Sequence, residues 1–134
     1  MKILETVVSA VLVVSAIVGA IILKTDAYLW AAAPSHAYGL MVFVAVDLGL
    51  AVAVWRVTKL AILGTALMGV VQFAAMAGDV FMGGPAGLPQ RAWQQYLLGD
   101  TYFVALLGIQ LVVVAVALLS IMHRRAMSLK TLQQ

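Results

Sequence analysis

The chain of 134 residues contains no cysteine, which excludes disulfides, iron–sulfur clusters and thiolate metal sites. Charged residues are scarce as well: they make up 10% of the chain, whereas about 25% is usual for a soluble domain. A Ser-His-Asp set, a phosphate-binding glycine loop and a dinucleotide fingerprint are also missing. We therefore expect no enzyme that acts by itself, although the chain could serve as a subunit of a membrane enzyme complex.

What the chain does have is long apolar runs. Apolar residues make up 65% of it and the mean hydropathy is +1.11. About 20 apolar residues in a helix span the hydrocarbon core of a bilayer, and four runs qualify: 4–23, 37–55, 60–82 and 102–122. Lipid offers the backbone no hydrogen-bond partners, so unbroken runs of this length predict helices and not strands. The sequence predicts one all-α integral membrane domain over 1–134, with the first run retained as a helix and not cleaved as a signal peptide.

Basic residues divide unevenly between the two sides that four crossings create. One side carries six of the eight Lys and Arg residues: Lys2, Arg56, Lys59, Arg124, Arg125 and Lys130. The other side carries Lys24 and Arg91. The positive-inside rule then predicts an up-down four-helix bundle in the cell membrane with both termini in the cytoplasm. Residues 24–36 and 83–101 become the outer loops, and 123–134 become a cytoplasmic tail.

The second outer loop carries a predicted short helix over 89–98, where Trp93, Tyr96 and Leu97 share one face. This pattern is typical of a helix that lies in the membrane interface. Most aromatic residues fall at the same outer level: Tyr28, Trp30, Tyr38, Phe81, Trp93, Tyr96, Tyr102 and Phe103. They indicate either an ordinary interfacial belt or a docking surface. Trp30, Trp93 and Tyr96 are the candidate contacts to a partner or to lipid.

Asp47 lies near the middle of the second apolar run, where a carboxyl costs about 2.5–3.5 kcal/mol to insert. With the predicted topology, Gln72 and Gln110 fall at the same depth in the third and fourth runs. Two interpretations stay open for this intramembrane polar layer. The three side chains could hold the helices together by hydrogen bonds. Alternatively, Asp47 could accept a proton or cation, with the two glutamines as its hydrogen-bonding shell.

Further polar residues form a pattern along the third helix that runs towards the predicted outer side. Thr58, Thr65, Gln72 and Asp79 recur every seven residues, which predicts a polar stripe on one side of the third helix. The stripe could be a hydrated path or a seam buried against neighbouring helices. His36 could begin a relay towards Asp47, but an exposed loop histidine is the preferred interpretation. His36 and Asp79 are the candidate polar groups of an outer mouth.

Small residues in the second run indicate close helix packing. Ala45, Gly49 and Ala53 form two small-xxx-small steps, which let helix backbones approach each other in a membrane. We expect this face to contact a neighbouring helix.

Two hypotheses follow for function. In the first, the protein is a non-catalytic accessory subunit of a larger integral-membrane complex, for instance a respiratory or other membrane oxidase assembly. In the second, it is a small oligomeric transporter or channel that couples to protons or cations through Asp47. No cofactor or metal is predicted, since His36 and His123 fall on opposite sides, but contact with lipid or quinone stays open. The expected partners are other membrane subunits and lipid, not nucleic acid.

Overall fold

The computed structural model describes residues 2–56 and 58–132, except for the side chains of Lys2 and Thr58. Every regular element in this part of the chain is a helix. The helices are α1 (Lys2–Thr25), α2 (Ala27–Ala32), α3 (Pro34–Arg56), α4 (Thr58–Met82), α5 (Gln90–Gly99) and α6 (Thr101–Leu132). Four of them, α1, α3, α4 and α6, are long and apolar enough to cross a membrane. This confirms the prediction of an all-helical, multi-pass membrane protein.

Two regions outside the predicted membrane-spanning runs contain more helix than the sequence predicts. Residues 24–36, expected as a loop, contain α2 and the first turn of α3. The carboxyl of Asp26 stabilises the start of α2 because it accepts a hydrogen bond from the Leu29 amide at 2.9 Å. The predicted tail over 123–134 is helical as far as Leu132, where α6 ends. Residues 123–132 contain neither proline nor glycine, so nothing in them interrupts the helix.

The short helix α5 lies close to its predicted position, over Gln90–Gly99. Pro89 occupies its cap position, and Asp100 caps the next helix by accepting a hydrogen bond from the Tyr102 amide at 2.9 Å. The apolar face of α5 is turned towards the long helices of the same chain. Trp93 is completely buried, because α5 packs on α4 and α6. Trp93 therefore does not lie on the outer surface, where the sequence predicts it as a contact to a partner or to lipid.

The buried apolar side chains form two clusters. The first consists of Val8, Leu12, Ala51, Val54, Ala61, Ile62, Ala66, Val113 and Ala117. The second consists of Ile22, Leu29, Ala33, Ala37, Met76, Val80, Trp93, Leu97 and Leu106. On each long helix, one buried polar residue lies in sequence between the members of the two clusters: Ser15, Asp47, Gln72 and Gln110. The two clusters thus leave room for a polar layer between them.

Close helix approach occurs at Gly19 and Gly69 and not at Gly49. A Cβ atom at Gly19 of α1 would lie 2.6 Å from Val44 Cγ2 of α3, and one at Gly69 of α4 would lie 2.8 Å from Val114 Cγ2 of α6. At Gly49 an added Cβ would meet nothing within 4 Å.

The predicted packing face is therefore turned away from the other helices of this chain. Ala45 and Gly49 are exposed, and only Ala53 is partly buried, against the first cluster. The reason is Asp47: α3 turns the side that carries this carboxyl inwards, which leaves the offset small residues outside. Packing at Ala45 and Gly49 would have to involve another molecule.

Candidate functional site

The first candidate site is the polar layer between the two apolar clusters, which centres on Asp47. The residue is 3% exposed, and both of its carboxyl oxygens accept hydrogen bonds from other helices. Gln72 Nε2 of α4 donates to Oδ1 at 2.7 Å, and Ser15 Oγ of α1 donates to Oδ2 at 2.5 Å. The carboxyl therefore joins three helices through two hydrogen bonds.

The fourth long helix joins this layer indirectly. Gln110 Nε2 of α6 donates to Ser15 Oγ at 2.8 Å and does not reach Asp47. Gln110 Oε1 is buried and has no hydrogen-bond partner among the described residues. The structure thus brings together the three predicted layer residues, Asp47, Gln72 and Gln110, with Ser15 as the link between two of them.

Ser15 is the residue that sequence reasoning missed. It is 1% exposed and both donates and accepts within the layer. The available signal was its position: it is a hydroxyl in the middle of an apolar run, at a depth comparable with that of Asp47.

The second candidate site lies at the end of the helices where α2 and α5 pack, and it contains the two predicted outer-mouth residues. His36 Nε2 lies 3.3 Å from Asp79 Oδ1 and 3.0 Å from the Gly83 carbonyl oxygen. The side chain of His36 is 22% exposed and belongs to the first turn of α3. The interpretation of His36 as an exposed loop histidine is therefore wrong, because α3 begins at Pro34.

A cavity of about 270 Å³ adjoins this pair. Its wall is mainly apolar and aromatic, and the polar side chains of Asp26, His36, Asp79 and Asp100 also line it. Trp93 forms part of the wall, with its ring 5.3 Å from that of His36 and 5.1 Å from that of Tyr96. We call this feature the α5-end cavity.

Tyr96 connects the two short helices across the edge of this cavity. Its hydroxyl donates a hydrogen bond to the Asp26 carboxyl, beside the start of α2. Burial raises the pKa of the Tyr96 hydroxyl well above its ordinary value, and the hydrogen bond to Asp26 raises it further. Tyr96 is half-buried, so it belongs mainly to the internal packing of this end.

The polar stripe of α4 does not connect the two sites by an open path. Thr65 and Gln72 are buried, and Thr65 Oγ1 donates to the carbonyl of Ala61 at 2.8 Å in its own helix. Asp79 reaches the α5-end cavity, whereas the side chain of Thr58 lies outside the described part. The described stripe is a buried seam with one end at the cavity.

The remaining predicted contact, Trp30, is partly buried next to α1. Its Nε1 donates to the Leu23 carbonyl at 2.8 Å, and its ring packs edge-on against Tyr38 at 5.5 Å. At the opposite end of the helices, Arg124 of α6 forms an ion pair with Glu5 of α1. Within residues 2–56 and 58–132, no group of three or more His, Cys, Asp or Glu side chains could hold a metal ion.

Comparison with protein families, with curated proteins and with solved structures finds no match to this chain. Proposals about its function must therefore follow from its own residues.

Proposed function

We propose that the protein is a non-catalytic accessory subunit of a larger integral-membrane complex. In this proposal the four long helices form an up-down bundle in the plasma membrane, with both termini in the cytoplasm and α5 at the outer side. A respiratory or other membrane oxidase assembly is the first candidate complex.

The observation that carries this proposal is the closed hydrogen bonding of Asp47. Both carboxyl oxygens are already taken by Ser15 and Gln72, and the residue is 3% exposed. A transport site must exchange its partners with water or substrate, whereas a layer that fixes the relative position of helices should be satisfied internally. The satisfied hydrogen bonds of Asp47 therefore support a role in fixing the relative position of the helices.

The outer faces of the long helices support a role among other membrane components. Large apolar side chains that are more than half exposed occur on all four: Ile17, Val52, Leu67 and Leu119 are examples. The exposed small residues Ala45 and Gly49 add a place on α3 where another helix could approach closely. Membrane subunits and lipid are the partners that such surfaces would accept.

The alternative is a small oligomeric carrier or channel that couples to protons or cations. One observation favours it: Gln110 Oε1 lies buried in the layer without a partner in the described part of the chain. An acceptor of this kind could receive a proton-bearing group when Asp47 changes its partners.

The substitution Asp47→Asn separates the two proposals. Asparagine keeps an oxygen that can accept from Gln72 but cannot exchange a proton at neutral pH. If the layer is structural, native extraction should recover the variant with the same partner subunits, in the same stoichiometry, as the parent protein. If Asp47 carries protons or cations, the protein should be recovered alone or as copies of itself, and proton flux into reconstituted vesicles should be lost in the variant.

Glu5→Gln provides the control, because it also changes a carboxylate into a carboxamide but lies outside the layer and the α5-end cavity, in the ion pair with Arg124. Recovery of the parent chain without any other subunit under gentle extraction would contradict the accessory role. Stoichiometric recovery with large redox or catalytic subunits would support it.

A further inference from the structure

The α5-end cavity has the size and lining of a small-molecule site. It measures about 270 Å³, and its apolar wall comes from α1, α3, α4, α5 and α6, including Ile22, Phe43, Met76, Leu97 and Phe103. Pockets of this kind combine an apolar wall with a few polar groups that fix the orientation of the ligand. The chemistry of those polar groups therefore indicates what the cavity would accept.

One polar group in the wall is unsatisfied. The indole N–H of Trp93 is completely buried and has no acceptor in the described part of the chain. The other two tryptophans differ: Trp30 Nε1 donates to the Leu23 carbonyl at 2.8 Å, and Trp55 Nε1 donates to Ser9 Oγ at 2.8 Å. Buried tryptophan N–H groups usually find a partner. Trp93 is one of the residues that line the cavity, so this unpaired donor belongs to the cavity wall.

The acidic side chains in the lining narrow the charge of the ligand. Asp26 accepts from Tyr96 and from the Leu29 amide, Asp79 pairs with His36, and Asp100 accepts from the Tyr102 amide. Three acidic groups around one cavity disfavour an anion. Each of them already has a partner inside the protein, so the cavity does not require a cation. A neutral ligand fits both conditions.

We propose that the α5-end cavity binds a neutral, largely apolar molecule whose carbonyl oxygen accepts a hydrogen bond from Trp93 Nε1. Two sources supply this chemistry in a membrane: the ring of a quinone and the ester of an uncharged acylglycerol. The proposal does not depend on the accessory role proposed above, since it rests on Trp93 and its surroundings alone.

The test is calorimetric titration of the full-length protein in detergent, with blank micelles subtracted. The probes are a decyl-substituted benzoquinone, monodecanoylglycerol and decylbenzene, which has a similar chain but no carbonyl. We expect saturable binding, one molecule per chain, of at least one carbonyl probe, and about tenfold weaker binding of decylbenzene. A preference between the two carbonyl probes identifies the source. Equal affinity for all three probes, or no saturable binding, would overturn the proposal.

The substitution Trp93→Phe tests the named donor, because it removes the N–H and keeps an aromatic ring. The affinity for the carbonyl probe should fall about tenfold, to the level of decylbenzene, whose own affinity should not change. Trp30→Phe is the matched control and should leave all affinities unchanged, since the Trp30 N–H is satisfied outside the cavity lining. An unchanged affinity in Trp93→Phe would rule out this donor.

A second measurement covers the case in which Trp93→Phe does not fold. In the double variant Trp30→Phe, Trp55→Phe, Trp93 is the only tryptophan, so its fluorescence reports on the cavity. Bound benzoquinone should quench this fluorescence along a saturable curve, and decylbenzene should not compete at equal concentration. Quenching that rises linearly with the quinone content of the micelle and is not reduced by monodecanoylglycerol would contradict the proposal.

Discussion

The polar layer and the α5-end cavity are built from similar residues, and each contains one buried group without a partner in the described part of the chain: Gln110 Oε1 in the layer and Trp93 Nε1 at the α5 end. Of these two residues, Trp93 lines the cavity and Gln110 does not. Each site contains an aspartate that contacts another helix: Asp47 contacts Ser15 and Gln72, and Asp79 contacts His36. Asp47 is 3% exposed with both oxygens taken, whereas the Asp79 side chain is 35% exposed and borders a cavity with an unpaired indole N–H nearby. A buried carboxyl therefore does not mark a ligand site by itself. Unused hydrogen-bonding capacity beside free volume is the better sign.

The surrounding helices explain the difference. At the polar layer only the four long helices meet, and each contributes one side chain to a continuous set of hydrogen bonds. At the α5 end the short helices α2 and α5 pack against the long ones, and aromatic rings form much of the contact.

The largest expected effect is a difference between Asp47→Ala and Asp79→Ala. Removing the Asp47 carboxyl leaves Ser15 and Gln72 as buried donors without an acceptor, so the free energy of unfolding should fall by about 2–4 kcal/mol. Asp79→Ala should cost about 1 kcal/mol or less, because water reaches its partly exposed surroundings. Denaturation of both variants in mixed micelles measures these losses. Equal losses would mean that the hydrogen bonds of Asp47 are no better shielded from water than those of Asp79.

A smaller effect should separate the two glutamines within the layer. Gln72→Met removes a direct hydrogen bond to Asp47 and should lower the free energy of unfolding by about 1–2 kcal/mol. Gln110→Met removes the hydrogen bond to Ser15, but it also removes a buried oxygen that has no partner among the described residues. The free energy of unfolding should therefore fall by less than about 1 kcal/mol. Methionine has a similar length, which limits changes in packing. The same denaturation assay compares the two, and a larger loss for Gln110→Met would contradict the assigned partners.

The sequence was sufficient for the features that depend on local composition. The four apolar runs predict the long helices, since length and hydropathy alone decide whether a segment can span lipid. Asp47, Gln72 and Gln110 could be assigned to one depth because each lies near the middle of its run. The position of α5 followed from Pro89 and from the spacing of Trp93 and Leu97.

What the sequence could not supply is the rotation of each helix about its axis. Ser15 was overlooked because a single hydroxyl is common in membrane helices, and its role depends on which way α1 faces. The Ala45 and Gly49 steps were assigned to the interior, although the inward direction of Asp47 leaves them outside. The spacing of Trp93 and Leu97 predicted that they share one face of α5, but not that this face would be buried against α4 and α6. These outcomes depend on contacts between distant segments.

The smallest expected effect concerns the edge of the cavity and appears only at high pH. Burial and the hydrogen bond to Asp26 raise the pKa of Tyr96, and Asp100 and Tyr28 nearby raise it further. In the unfolded chain tyrosine releases its proton at about pH 10. Stability from Tyr96 is therefore fully present below that pH and is lost as the pH rises towards the higher pKa of the folded protein. Tyr96→Phe should cost about 1 kcal/mol at pH 7 and should remove this part of the alkaline loss. Thermal unfolding between pH 7 and 11 measures both, with Tyr102→Phe as the exposed control. An alkaline loss of the same size in Tyr96→Phe would mean that another group is responsible, and that the contact between α2 and α5 does not depend on this hydroxyl.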